Sequence, residues 1–271
     1  MADPRTRYER GLDVLSTLGG SEAAGRTLAE FFGTQGALGS IVLHTGAGEI
    51  WSRTELSRRD RSLVVICFLT ALGREVELRH HVGGGLNHGL SREEIDEIMV
   101  QISAYAGVPV ALAGAGIAGQ VFAQVDGSEK RSNPPAAGEL KDDEKRRADG
   151  LDVLNTLLGQ PDMDMKFAEA ATIDQLGEMG RLVLDFAFGD VWSRPQLSRR
   201  DRSLVVISVL AALSLMQELE IHLQGALNHG VTREEIEEVM LTLVIYGGFP
   251  RAIDGMHMAR KVFAAADEAA S

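Results

Sequence analysis

Cysteine and long hydrophobic runs are nearly absent from this sequence. The single cysteine of the 271 residues, Cys67, cannot form an internal disulfide, and its apolar surroundings predict a buried, unreactive thiol. The apolar runs are too short and too interrupted to span a bilayer, and the N-terminus lacks the apolar segment of a signal peptide. We therefore expect a cytoplasmic protein that does not enter a membrane.

A basic surface and β-strand patterning are missing as well. Lysine and arginine number 27 against 39 aspartates and glutamates, which gives a net charge of −12. Such a surface repels phosphate backbones, so nucleic acid is excluded as a partner and a small molecule is expected instead. Aromatic residues make up only 5%, whereas Ala, Leu, Met and Glu are plentiful. With no alternating polar and apolar pattern, this composition predicts an all-α protein.

The sequence does contain a long internal repeat. Sixteen residues that begin at Trp51 recur from Trp192, at an offset of 141 and with fourteen identities. The repeat predicts two tandem helical units, residues 1–125 and 148–271, packed against each other like the halves of a dimer. Residues 126–147, with two adjacent prolines and mixed charges, are expected to form a solvated linker.

Each unit is expected to contain five to seven helices. Ser57 is placed to cap a long helix, with Asp60 completing a capping box, and Ser91 and Thr232 begin capping boxes of their own. The helix after Ser57 is apolar on every side, which predicts a central position. The glycine-dotted stretch 33–50 indicates no clear element.

A polar helix that follows the central one holds the candidate catalytic residues. Glu77 and His81 are four residues apart, and Glu218 and His222 repeat them in the second unit. A carboxylate at this spacing can orient an imidazole and stabilise its charged form, which suits general acid/base catalysis. The alternative is an exposed pair worth only ~0.3–0.5 kcal/mol. Because the pair follows the most buried helix, we expect it to face inward.

Six further residues are candidate substrate contacts: Arg61, Arg202, Tyr105, Tyr246, His88 and His229. An arginine can hold a carboxylate by two parallel hydrogen bonds, or it can be a solvated residue of a first helical turn. Each histidine precedes a helix-ending glycine, where it can instead interact with the helix dipole. Each tyrosine precedes a glycine–proline break, from which it can reach the site. Trp51 and Trp192 are expected to be structural anchors.

A metal is not expected at these residues. Glu77, His81 and His88 share one helical face, but seven helical residues span ~10 Å, so the two histidines cannot bind one ion. A glutamate and a histidine four residues apart provide too few ligands by themselves. We therefore expect no metal.

Several of these motifs together resemble a known family. They are Trp-Ser-Arg-x-x-Leu-Ser-Arg-Arg-Asp-Arg-Ser-Leu, Glu-Leu-x-x-His, Leu-Asn-His-Gly, Arg-Glu-Glu-Ile and Tyr-x-Gly-x-Pro. Their order and spacing over residues 45–125 and 186–267 resemble the carboxymuconolactone decarboxylase family, whose fold is all-helical and AhpD-like. Single-unit members of that family form hexamers that are built from dimers. The resemblance therefore implies a homotrimer of fused chains, of about 88 kDa for three copies of 29.2 kDa.

The resemblance implies a cofactor-free decarboxylation of a carboxylated, unsaturated lactone, as in aromatic catabolism. His81 and His222 would be the acid or electrophile, oriented by Glu77 and Glu218. The fused organisation leaves the substrate open, and another lactone, a quinone or a polyketide, with isomerisation or cyclisation as the reaction, stays an alternative. A non-catalytic ligand-binding or scaffold protein is the competing class.

AhpD-like peroxidase partners of the same superfamily carry Cys-x-x-Cys-x-x-x-His. Aligned on His81, their cysteines fall at Arg74 and Glu77, and aligned on His222 they fall at Leu215 and Glu218. Because none of these positions holds a thiol, the sequence excludes disulfide-based peroxidase chemistry.

The two units also differ next to the candidate histidines. Gly83 and Gly85 stand where the second unit has Gln224 and Ala226, and His80 stands opposite Ile221. Glycine weakens a helix interior by roughly 0.5–1 kcal/mol, so the first helix should be weaker and its site differently shaped. We expect unequal turnover at the two sites, with neutral drift as the alternative.

Overall fold

The computed structural model describes residues 5–131, 138–159 and 164–269, and within these ranges it is helical and contains no strand. The first unit consists of α1 (Arg7–Gly19), α2 (Glu22–Gly33), α3 (Gly36–Ser40), a first π-helix (Ile41–Trp51), α4 (Arg58–Ala71), α5 (Glu75–Asn87), α6 (Arg92–Ser103) and α7 (Val108–Val125). The second consists of α8 (Asp143–Leu158), α9 (Met165–Leu176), α10 (Glu178–Leu182), a second π-helix (Val183–Trp192), α11 (Arg199–Leu213), α12 (Met216–Asn228), α13 (Arg233–Gly247) and α14 (Phe249–Ala269). The all-α fold is therefore confirmed.

The end of the predicted linker is helical. Asp142 caps α8 by accepting a hydrogen bond from the backbone of Lys145, and the helix begins at Asp143, inside the predicted stretch 126–147. The two adjacent prolines of that stretch lie outside the described residues.

The helix caps follow the sequence pattern with one exception. Ser91 and Thr232 form complete capping boxes, and Ser57 caps α4 through its hydroxyl. Asp60 does not complete the box in the described structure, because its carboxylate pairs with Arg59 at 2.8 Å and with Arg200 at 3.0 Å. The carboxylate thus joins the two units.

The centre of the molecule is the contact between α4 and α11. Residues 60–70 and 201–212 are buried without interruption, as expected for helices that are apolar on every side. At their N-terminal ends Arg59 reaches Asp201 at 2.9 Å, and Arg200 reaches Asp60. The two units therefore pack as a pseudo-dimer.

Each unit also packs a helix onto the central helix of the other. α13 lies on α4, and α6 lies on α11. Buried ion pairs join these helices: Arg61 to Glu238 at 2.9 Å, and Arg202 to Glu97 at 2.8 Å. The units are interlocked, because each supplies part of the surroundings of the other's central helix.

The stretch that indicated no element in the sequence is α3 followed by the first π-helix. This π-helix lies directly on the backbone of α1, where a Cβ atom on Gly11 would be 2.2 Å from the Leu43 carbonyl oxygen and one on Gly48 would be 2.0 Å from that of Arg7. Gly150 and Gly189 repeat this contact in the second unit. Both π-helices end at the repeated tryptophan, and π-helical turns are frequent at functional sites.

One helix is longer and more apolar than expected, since no apolar run was expected to be long enough to span a bilayer. α7 is 18 residues long and apolar enough to cross a membrane by length and composition alone. In this fold it packs on α5 and α6, and packed core helices pass the same test. Its outward face includes Val108 and Leu112, which are 51% and 66% exposed.

Candidate active site

The first site is built around His81 by residues of both units. The indole of Trp51, at the end of the first π-helix, stacks on the imidazole with the ring centroids 5.7 Å apart. Tyr246, from the end of α13 in the second unit, meets the same imidazole edge-on at 5.3 Å. The Tyr246 hydroxyl lies 2.9 Å from Trp51 Nε1 and 3.2 Å from His81 Nε2. A hydrogen-bonded chain therefore runs across the boundary between the units.

The second site repeats this arrangement around His222. Trp192 stacks on the imidazole with ring centroids 6.0 Å apart, and its Nε1 donates a 2.7 Å hydrogen bond to the hydroxyl of Tyr105 from the first unit. Tyr105 meets the imidazole edge-on at 5.1 Å. Within the described residues, however, no hydrogen bond joins the Tyr105 hydroxyl to His222, which is a difference from the first site.

The hydrogen-bonded chain at the first site defines the tautomer of His81. An indole N–H can only donate, so the Tyr246 oxygen accepts from Trp51 and its own proton points to His81 Nε2. Burial raises the pKa of Tyr246, which keeps that proton in place. Nε2 is therefore the acceptor, and neutral His81 carries its proton on Nδ1.

The Nδ1 atoms of both site histidines are buried and have no hydrogen-bond partner among the described residues. Burial, with smaller contributions from His80 and His88, lowers the pKa of His81 to about 3. Burial likewise lowers the pKa of His222 to about 4, with a contribution from His229. At neutral pH each ring is uncharged, and a buried polar atom without a partner is a candidate contact for a ligand.

His88 and His229 are held by hydroxyl groups beside the repeated tryptophans. His88 Nδ1 lies 2.7 Å from Ser62 Oγ and its Nε2 lies 3.1 Å from Thr17 Oγ1, while its ring tilts against Trp51 at 5.9 Å. His229 makes the equivalent contacts in the second unit. Burial lowers the pKa of both rings to about 4. They are neutral at pH 7, so the charged interaction with the helix dipole is not formed.

The predicted pairing of glutamate with histidine is not present. Glu77 is exposed and makes no hydrogen bond or ion pair to His81 within the described chain, and the same holds for Glu218 and His222. Both glutamates lie in the first turn of their helices, where water and the positive end of the helix dipole stabilise a carboxylate. The expectation that they face inward and orient the imidazoles was wrong. Participation of either glutamate in turnover stays a prediction.

Arg61 and Arg202 are placed differently from the expectation that they hold a substrate carboxylate. Both are fully buried, and each is bound to a carboxylate of the other unit. Arg61 also donates a 2.6 Å hydrogen bond to Thr242, and Arg202 a 2.8 Å bond to Gln101. A buried guanidinium needs a buried counter-charge, and here that charge comes from the opposite unit. These arginines therefore join the two units.

Tyr105 and Tyr246 do lie at the sites, but each completes the site of the opposite unit. The sequence predicted that each tyrosine reaches the site of its own unit from the next helix. No residue pattern within one unit shows whether a tyrosine contacts the site of its own unit or that of the opposite unit. The tryptophans are buried anchors as expected, 3% and 1% exposed for Trp51 and Trp192, and they also contact the site histidines.

The buried carboxylates of Glu97 and Glu238 were not recognised from the sequence. Each is 2% exposed, and each binds two arginines of the opposite unit. One signal was available: the two residues occupy equivalent positions, three residues after the glutamate of each capping box, and each is followed by two apolar residues.

The family model that matches this chain is that of the carboxymuconolactone decarboxylase family, over residues 37–120 and again over residues 177–261. Together these regions cover more than half of the sequence, and one lies within each of the two units. The chain belongs to the carboxymuconolactone decarboxylase family. It is a tandem fusion of two family domains, as the repeat predicted.

Two relatives of this family member are named as decarboxylases. The 4-carboxymuconolactone decarboxylase of Acinetobacter baylyi is 40% identical over 121 residues, which are 45% of this chain and 89% of that protein. The nitrosuccinic acid decarboxylase of Metarhizium robertsii is 33% identical over 113 residues, 42% of this chain and 78% of that protein. These matches support an enzyme of the decarboxylase type.

Proposed function

We propose that this protein decarboxylates a small carboxylic acid in which the departing carboxyl group is conjugated with, or adjacent to, an electron-accepting group. A carboxylated unsaturated lactone is the first candidate, by similarity to the Acinetobacter relative. The nitro group named for the Metarhizium relative's substrate is an acceptor of the same kind. Such a substrate contains its own electron sink, so the reaction does not require a cofactor.

The unpaired, buried Nδ1–H of His81 is the observation that carries the proposal. In the reaction the bond to the carboxylate breaks, CO₂ leaves, and the electron pair moves onto the acceptor oxygen. A proton from water then adds to the carbon. A hydrogen-bond donor aimed at that oxygen stabilises the developing charge, and removing one such donor typically costs about 10²–10³ in kcat.

Neutral His81 suits the role of electrophile better than that of proton donor. Its pKa of about 3 leaves almost no imidazolium at pH 7, whereas the neutral ring still offers Nδ1–H. Tyr246 keeps the proton on that nitrogen by donating to Nε2. We propose the same role for His222 in the second site, with Tyr105 beside it.

The test measures CO₂ release from 4-carboxymuconolactone and from nitrosuccinic acid. Asparagine places an amide N–H near the position of Nδ1, and glutamine places one near Nε2. We expect His81→Asn to retain more activity than His81→Gln or His81→Ala, and the double variant His81→Ala/His222→Ala to lose about 10²–10³ in kcat.

His257→Asn, an exposed substitution on α14, is the matched control. A double alanine variant that turns over as fast as the parent would contradict the proposal. The scaffold alternative predicts instead that neither the parent nor any variant releases CO₂.

A further inference from the structure

The repeated Arg-Arg-x-Arg motif places three arginines at the start of each central helix, and two of the three bind carboxylates of the opposite unit. Arg61 is fully buried against Glu238. Arg59 is bound to Asp60, Asp201 and Glu94. The second unit repeats these pairs. Only the first arginine of the motif, Arg58 or Arg199, remains as a candidate anion-binding residue.

Arg58 has an unused donor. Its Nη1 is buried and has no hydrogen-bond partner among the described residues, and its Nη2 lies 3.4 Å from the carboxylate of Asp13. Arg5 lies 3.8 Å from the same carboxylate, so Asp13 balances two guanidinium groups. Arg58 Nη1 is therefore a buried donor that no described residue satisfies.

The equivalent arginine of the second unit is satisfied by the protein. Arg199 Nη1 donates to the Trp192 carbonyl oxygen at 3.2 Å, and its Nη2 donates to Asp152 at 3.1 Å. The second unit therefore lacks the unused donor.

Arg58 belongs to the neighbourhood of the first site. It lies one helical turn before Ser62 on α4, and the Ser62 hydroxyl is 2.7 Å from His88 Nδ1. The Arg58 charge also helps, after burial, to lower the pKa of that ring. The His88 ring contacts Trp51 at 5.9 Å, and Trp51 stacks on His81. Ser62, His88, Trp51 and His81 thus connect the face of α4 that carries Arg58 to the first site.

We propose that Arg58 is the residue that binds the substrate carboxylate retained in the reaction, so that the first site favours a second carboxylate more strongly than the second site does. The inference rests on the proposed decarboxylation. The departing carboxylate becomes neutral CO₂, and a guanidinium bound to it would stabilise the ground state and oppose the reaction. A second carboxylate keeps its charge throughout, so Arg58 can bind it equally well before and after bond cleavage.

Binding can be measured apart from turnover, because Trp51 and Trp192 are the only tryptophans and each lies in one site. In a Trp192→Phe background, Trp51 fluorescence reports the first site alone. Succinate is the dicarboxylate probe, and succinamate, its monoamide, is the matched monocarboxylate. We expect succinate to bind about 10- to 100-fold more tightly than succinamate, the range for a charged hydrogen-bonded pair.

Arg58→Gln should abolish this preference, Arg58→Lys should retain part of it, and Arg199→Gln should leave the Trp51 titration unchanged. Melting curves of each variant show that the fold is intact. An unchanged preference in Arg58→Gln, or no saturable effect of succinate on Trp51, overturns the proposal. A preserved preference in a chain that releases no CO₂ would support Arg58 as the anion site and refute the decarboxylase function alone.

Discussion

The two sites of this molecule share the same arrangement of tryptophan, tyrosine and histidine, and they differ in the hydrogen bonds that the tyrosine and a nearby arginine make. Both have a tryptophan that stacks on the site histidine and donates to a tyrosine from the opposite unit. At the first site, Tyr246 is also hydrogen-bonded to His81, and Arg58 has an unused N–H. At the second, Tyr105 has no such bond in the described structure, and Arg199 is occupied.

This difference indicates which positions of a duplicated fold can diverge in sequence. The charged residues that join the units are the same in both halves, because each one stabilises the packing of the other unit. Residues that only surround a site can differ: Phe68 stands where the second unit has Val209, and His80 where it has Ile221. We infer that the second site has lost donors while it kept its structure, and that the first site carries most of the turnover.

The largest losses of stability are expected at the buried ion pairs that join the units, and the equivalent substitutions in the two units should have similar effects. Glu238→Ala and Glu97→Ala each leave an arginine buried without its counter-charge, which typically costs 3–5 kcal/mol of stability. Urea unfolding of both variants measures the loss. Glu55→Ala, which removes an exposed pair with Arg53, is the control and should cost less than about 1 kcal/mol. A large inequality between the two buried substitutions would show that the interface is not symmetric.

Acid should weaken the fold through the site histidines. Their pKa values, about 3 for His81 and about 4 for His222, lie below the ordinary 6.5, so the unfolded chain takes up protons first as the pH falls. The contribution to stability is complete above pH 6.5 and is lost progressively toward pH 4 and below. Each histidine lowers the free energy of unfolding by at most about 1.4 kcal/mol per pH unit.

Urea unfolding at pH 7, 6 and 5 measures this slope. Replacing His81 or His222 by asparagine should reduce it by similar amounts. A slope that is the same in both variants and in the parent would show that neither imidazole titrates in this range.

The tyrosines should distinguish the sites. In a His222→Ala background, Tyr246→Phe removes the bond that fixes the His81 tautomer, and we expect kcat to fall about tenfold, or ~1.4 kcal/mol. In a His81→Ala background, Tyr105→Phe removes no bond to histidine, so the fall should be smaller. Nitrogen-15 NMR of the imidazoles provides an independent measurement: His81 should be protonated at Nδ1 in the parent and a mixture of tautomers in Tyr246→Phe. Equal falls in kcat for Tyr246→Phe and Tyr105→Phe would show that the tyrosine does not distinguish the two sites.

The smallest effects concern the glycines of α5. A Cβ on Gly83 would have only Val121 nearby, at 4.0 Å, so Gly83→Ala should stabilise the chain by roughly 0.5–1 kcal/mol. A Cβ on Gly84 would lie 2.2 Å from Leu18 Cδ1, so Gly84→Ala should destabilise it. Thermal unfolding of the two variants shows whether each substitution raises or lowers the stability. A destabilising Gly83→Ala would mean that α5 does not tolerate a side chain at this position.

Much of the fold follows from local sequence signals. Helix boundaries were predictable where a capping residue is followed by an apolar period, as at Ser91 and Thr232, because cap and helix involve neighbouring residues. The central position of α4 followed from its uniformly apolar composition. The π-helices were not predictable, since glycines that allow close contact with α1, such as Gly48, also indicate turns.

The site was predictable only in part, because its two halves come from different units. The repeat identified His81 and the family identified its reaction class, but the contact with Tyr246 spans 165 residues and depends on how the units pack. The glutamates were misplaced for a related reason. Helical spacing brings Glu77 near His81, yet it does not determine whether that part of the face is covered by another helix.

The inequality of the sites is tested most directly by kcat/KM for CO₂ release in His81→Ala and in His222→Ala, each compared with the parent on 4-carboxymuconolactone. We expect His81→Ala to lose most of the activity and His222→Ala to retain most of it, because only the first site combines a fixed tautomer with an unused arginine donor. Losses of about half in each variant with unchanged KM would show two equivalent, independent sites and would contradict this expectation.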